Sequence, residues 1–166
     1  MAWFRREQAP SVVPAAPAPG DLGDPGDSPE ALRTAIASVN RLINASAGRL
    51  PLRAVVAGRR VTDVLAEIVD TSEVRPLDVY AVISVKGAVT DYLPTTIRGY
   101  LAVDESLVDV PRASGKTPAQ SLLEQLDALE VSAELVLEAA QQQDVDALMT
   151  QGNFLRTKFS GSDLDL

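Results

Sequence analysis

The sequence predicts an all-α protein: an antiparallel bundle of five or six amphipathic helices behind a disordered, Pro/Ala-rich N-terminal tail. Three observations point there. Apolar residues recur in alternating steps of four and three through most of residues 28–159, the spacing that places them on one helical face. Two of the expected helices open on Ser or Thr followed by Pro, the pattern of a capped first turn. No region is rich in strand signals, so short connections between helices leave a bundle as the simplest way to bury the stripes.

The tail comes first. Residues 9–27, APSVVPAAPAPGDLGDPGD, bury too little apolar surface to offset their ordering entropy, which predicts a disordered or polyproline-like tether over 1–27. The bundle is expected over 28–160. Its first helix has Ser28 as N-cap, Pro29 at the first helical position and Glu30 at the positive end of the dipole. Leu32, Ile36, Val39 and Ile43 form its stripe, and Gly48 is expected to stop it. Leu50, Ala54, Ala57, Val61, Val64 and Ile68 predict a second helix over about 51–72. Ala54 and Ala57 would let a neighbour approach closely, while Gly58 is a weak point of roughly 1 kcal/mol.

PLDVYAVISVKGAVTDYL is rich in β-branched residues, so a strand stays open over 79–92. Val82, Val85, Val89 and Tyr92 nevertheless favour a helix, with Pro94 expected to kink or restart the chain. After a loop through DESLVDVPRASGK, Leu122, Leu126, Leu129, Ala133, Val136 and Ala140 mark the longest stripe, widened by Leu123 and Leu137. Glu124, Asp127, Glu130, Glu134 and Glu138 take mainly the other faces, as a solvated helix side does. A last helix over about 145–159 carries Leu148, Gly152, Leu155 and Phe159, and residues 161–166 form a short acidic tail.

Composition narrows the chemistry. A chain of 166 residues allows one ordinary domain. It has no cysteine, which removes disulfides and thiolate sites, and no histidine, which removes the usual zinc sites and the commonest general base. The net charge of −8 opposes non-specific nucleic-acid binding. No metal or cofactor is expected. No apolar run approaches the roughly 20 residues that span a bilayer. Arg5 and Arg6 lead into EQAPSVVPAAPAPG, too proline-rich for a signal peptide, so a cytoplasmic location is expected.

Several short motifs invite a chemical reading. SGKT, residues 114–117, resembles the end of a phosphate-binding loop. That loop needs a glycine where Val110 stands, and Pro111 lacks an N–H for the cradle. Thr117, Pro118 and Gln120 instead read as a capping box opening the longest helix. DVDAL, residues 144–148, resembles the nucleophile motif of haloacid-dehalogenase-type phosphatases, but Leu148 ends it and Asp144 serves better as an N-cap. The row Glu124–Glu138 lacks the histidines of ferritin-like di-metal sites. YLAVD, Tyr100–Asp104, fits a Y-x-x-x-[DE] pattern that resembles a type VII secretion signal, without the paired W-x-G turn.

At the N-terminus, Trp3 and Phe4 beside Arg5 and Arg6 would suit a protein groove or a weak contact with an anionic membrane surface. DYLPTTIRGYLAVDES, residues 91–106, is similar to a segment of the bromo-chloro-indolyl phosphate hydrolysis (XpaC-like) family. Asp91, Tyr92, Leu93, Pro94, Thr95, Thr96 and Tyr100 carry that resemblance, which extends over about 91–159. It implies phosphate-ester hydrolysis and an association with toxic-anion resistance proteins. Hydrolysis would have to use Ser, Thr or Asp as nucleophile, or water from an all-carboxylate metal site, with Arg98 beside Thr95 and Thr96 and Lys86 one turn before Thr90 as the clustered groups. Tyr92, Leu93, Pro94, Arg98 and Tyr100 read more simply as a helix junction. The expected function is therefore a non-catalytic protein-interaction subunit, an adaptor in an envelope- or stress-associated assembly. The alternatives are a phosphate-ester hydrolase and a type VII secretion substrate. A protein partner is expected, with oligomeric state left open.

Overall fold

The structure, a computed structural model, describes residues 24–160. The expected tail over 1–23 and the acidic tail over 161–166 lie outside the described residues. The chain enters at Asp24, which caps a 3-10 turn at Pro25–Asp27 by accepting from the Gly26 N–H at 2.9 Å. Lys86 holds this turn to the bundle through Asp24 at 2.6 Å and Asp27 at 2.7 Å. Residues 24–27, which composition assigns to the tether, are thus seated on the helices.

Helix α1 (Pro29–Ser46) starts where capping chemistry places it, with Ser28 Oγ accepting from the Ala31 N–H at 3.1 Å. It buries Leu32, Ile36, Val39 and Ile43. Gly48 falls in the turn that follows, but it does not adopt the left-handed backbone expected of a glycine stop. Helix α2 (Leu52–Asp70) returns against α1. Their pairing is antiparallel: Asn44 meets Arg59, Asn40 meets Thr62, and Arg33 meets Asp70. Gly58 is buried at this contact, where an added Cβ would stand 3.1 Å from the Ile43 Cδ1 methyl. Its missing side chain is the space Ile43 fills.

The β-branched stretch is helical. Asp78 accepts from the Tyr80 N–H at 2.8 Å and opens α3 (Val79–Gly87). No break follows at Pro94. A π turn at Ala88–Tyr92 passes directly into α4 (Leu93–Leu101), and the Leu93 N–H reaches back to the Ala88 carbonyl. Pro94 has no N–H to donate, and its ring would crowd the carbonyl of Thr90 in a regular helix; one wider turn before it relieves both constraints.

Helix α5 (Pro118–Gln142) is central and longest, and it buries Leu122, Leu126, Leu129, Ala133, Val136 and Ala140 as its stripe requires. It ends at Gln143, a left-handed residue with φ 60°. Asp144 then caps α6 (Val145–Ser160), accepting from the Ala147 N–H at 2.9 Å. Leu148 and Leu155 point inward.

Neighbours in sequence pack antiparallel in the α1–α2 and α5–α6 hairpins. Across the centre, α2 and α5 run the same way: Arg60 pairs with Glu130, and further on Arg75 meets the Ala140 and Gln141 carbonyls. The intervening α3–π–α4 rod carries the chain back, which makes that parallel pairing available. α3 and α6 are parallel as well, with Ser84 beside Gly152 and Tyr92 beside Phe159. Among the described residues there are no strands, and no helix is long and apolar enough to cross a membrane.

Candidate functional site

Two regions compete for a functional assignment: the motif-bearing junction at 88–101 and the exposed groove between α5 and α6. The junction is largely interior. Leu93, Pro94, Thr96, Ile97 and Tyr100 are buried. Tyr92 is half-buried and stacks on Phe159 with ring centroids 5.3 Å apart. Gly87 lies under this ring, so an added Cβ would approach Tyr92 Cε2 to 3.1 Å. Burial first, then the charge of Asp91, raises the Tyr92 phenol above its usual value of 10. Burial likewise raises that of Tyr100, followed by Asp109.

The polar residues of the junction do not converge. Arg98 is exposed while Thr96 is buried. Thr95 donates to Asp91 at 3.2 Å, one turn earlier, and Thr90 donates to the Lys86 carbonyl at 2.7 Å. Lys86 itself is engaged by Asp24 and Asp27. Nor does SGKT build a cradle. Gly115 takes φ 78° in a tight turn closed by the Arg112 N–H to the Lys116 carbonyl at 2.9 Å. Lys116 pairs with Glu124 at 2.5 Å, and Thr117 and Gln120 form the reciprocal capping box. Among the described residues, no three acidic side chains are grouped to hold a metal ion.

The groove is built differently. The two-residue α5–α6 connection folds α6 back along α5, and the exposed edges of both helices face a shared cleft. Its apolar section, about 390 Å³, is lined by Val131, Leu135 and Phe154, with Asp127, Gln151 and Lys158 at its rim. These three apolar side chains are 55%, 46% and 44% exposed. On the same two helices Leu122, Leu126, Leu129, Leu148 and Leu155 are buried to within a few per cent. Lys158 lies over the Phe154 ring at 5.3 Å. Toward the connection the groove continues past Leu135 and Gln151 into a section of about 560 Å³ edged by Glu138, Asp144 and Asp146. One end is therefore apolar and the other acidic.

A second depression of about 430 Å³ flanks α5 on its α2 side, bringing exposed Leu52 and Val56 together with Arg53, Arg60 and Asp127. α5 is thus bordered by open apolar surface on both sides.

Of the residues singled out from sequence, Trp3, Phe4, Arg5 and Arg6 lie outside the described residues. Tyr92, Leu93, Pro94 and Tyr100 form the junction, with Arg98 on its outer side. Val131, Leu135 and Phe154 were not singled out. The available signal was Val131 and Leu135, four apart on the same side of α5 as the carboxylates and outside its buried stripe. No family model, curated protein or solved structure matches the chain.

Proposed function

We propose that this is a non-catalytic helical protein-interaction subunit, and that its partner docks in the α5–α6 groove. The observation carrying this reading is the gathering of Val131, Leu135 and Phe154 in one open cleft on two well-packed helices. A helix or extended segment with apolar residues along one edge would bury that surface, and a basic end would suit Glu138, Asp144 and Asp146. Trp3–Arg6 supply a further apolar and basic contact outside the bundle. The envelope- or stress-associated setting rests on the XpaC-like resemblance. Hydrolysis is the weaker reading, because the junction's Lys86, Thr90 and Thr95 are occupied in local contacts and Arg98 stands apart from buried Thr96.

The experiment is a quantitative affinity isolation from the native cell, using the full chain, Leu135→Glu and Phe154→Glu. Because both side chains are substantially exposed, the variants are expected to keep the native helical signal. A stoichiometric partner recovered with the native chain and lost with both variants is the expected result. Equal recovery with all three would contradict groove docking.

A further inference from the structure

The groove has an occupant of matching chemistry within the same chain. We propose that Trp3–Arg6 dock in cis into the α5–α6 groove. Trp3 and Phe4 lie against Val131, Leu135 and Phe154, and Arg5 and Arg6 lie beside Glu138, Asp144 and Asp146. This contact goes beyond the partner reading and needs no partner to exist.

Polarity sets the direction of docking. The segment is apolar and then basic; the groove is apolar and then acidic. In the reverse direction Arg5 and Arg6 would meet Lys158 and the single carboxylate of Asp127 at the apolar end, and the aromatic pair would face the three carboxylates of Glu138, Asp144 and Asp146. Size agrees too. Four extended residues span about 13 Å, and α5 rises about 16 Å from Val131 to Gln142, which line the two sections.

Placement of the tether makes the contact reachable. Asp24 is pinned by Lys86 on α3, and α3 lies along α6, one wall of the groove. Residues 7–23 span at most about 56 Å, whereas the whole of α6 is about 24 Å long. Linkage on this scale gives an effective concentration of order 1 mM, so even a contact with millimolar Kd as a free peptide is about half occupied. A partner that binds the groove then has to displace the segment, which frees all of Trp3–Arg6 for a further contact.

Trp3 is the only tryptophan in the chain, so its fluorescence reports this contact without a label. The test is acrylamide quenching of the full chain against a free peptide of residues 1–23. The expected quenching constant is about twofold lower in the full chain, corresponding to half occupancy, and independent of protein concentration. Leu135→Glu should raise it toward the peptide value. So should the double change Arg5→Glu with Arg6→Glu, which alters no residue of the six helices and keeps their helical signal. High salt should act in the same direction. Quenching equal to that of the peptide, or protection that survives both variants, overturns the proposal. Protection that grows with protein concentration also overturns it, assigning the groove to a second copy. Each of these results is read on the isolated protein and leaves the affinity isolation to decide the partner reading separately.

Discussion

Arg75 reaches from the connection after α2 to the carbonyls of Ala140 and Gln141, two of the groups that end α5 without an intrahelical donor. A half-buried guanidinium there satisfies both and complements the negative end of the helix dipole. Arg75→Ala should lower the unfolding free energy by about 1–2 kcal/mol, read from urea denaturation. Two residues on, Gln143 holds φ 60° at a position that glycine fills without a Cβ conflict. Gln143→Gly should stabilise the protein by about 1 kcal/mol in the same assay. Ser84 differs again: its hydroxyl is buried without a hydrogen-bond partner, facing Gly152 on α6. Removing an unsatisfied buried group should help, so Ser84→Ala is expected to gain about 1 kcal/mol. The roles of Arg75 and Ser84 are not written locally: each depends on which helix end or face arrives opposite the residue.

Among elements, the α3–π–α4 rod shows where sequence reasoning reached and where it stopped. Caps at Ser28, Thr117 and Asp144 were legible because donor and acceptor lie within three residues. The buried stripes were legible for the same reason of short period. Pro94 signalled a disturbance, but not that a π turn would absorb it, since that outcome also seats the Tyr92 ring over Gly87 and against Phe159 of a distant helix. The parallel pairing of α2 with α5 was hidden likewise, being decided by packing across the core. If the Tyr92–Phe159 stack fastens α6 to the rod, a double-mutant cycle with Tyr92→Leu and Phe159→Leu should return a coupling of about 0.5–1.5 kcal/mol. Additive effects would separate the two rings.

The Asp24–Lys86 contact gives the entrance turn a pH signature. The hydrogen bond from Lys86 holds the Asp24 carboxyl below its usual 3.8, and bonds to Asp24 and then Asp27 hold the Lys86 ammonium above its usual 10.5. The contact is therefore complete near neutrality. It is lost on the acid side as pH falls below 3.8 through the lowered Asp24 value, and on the alkaline side as pH rises beyond 10.5 through the raised Lys86 value. The Gly26 amide, bonded to Asp24, should report the acid step as a resonance shift with its midpoint below 3.8.

For the whole molecule, the arrangement is a well-buried bundle in which one group of exposed apolar side chains, on α5 and α6, shares a cleft. The core closes over Ile43, Val61, Ile68, Leu93, Leu126 and Leu148, none more than 1% exposed, while Val131, Leu135 and Phe154 stay open. With a net charge of −8 and acidic residues at one end of the groove, the proposed docking surface would suit a basic, partly apolar occupant. The fold class was readable from periodicity. The groove was not, because it is made by two helix edges that only the tight Gln143–Asp144 turn brings side by side.

The most direct measurement is site-specific photo-crosslinking in the native cell, with the crosslinker placed in turn at Val131, Phe154 and, as a control on exposed α1 surface, Arg41. Docking through the groove is expected to give the same crosslinked partner from positions 131 and 154 and none from 41. A partner captured equally from all three positions, or only from 41, would contradict the groove as the working surface of this protein.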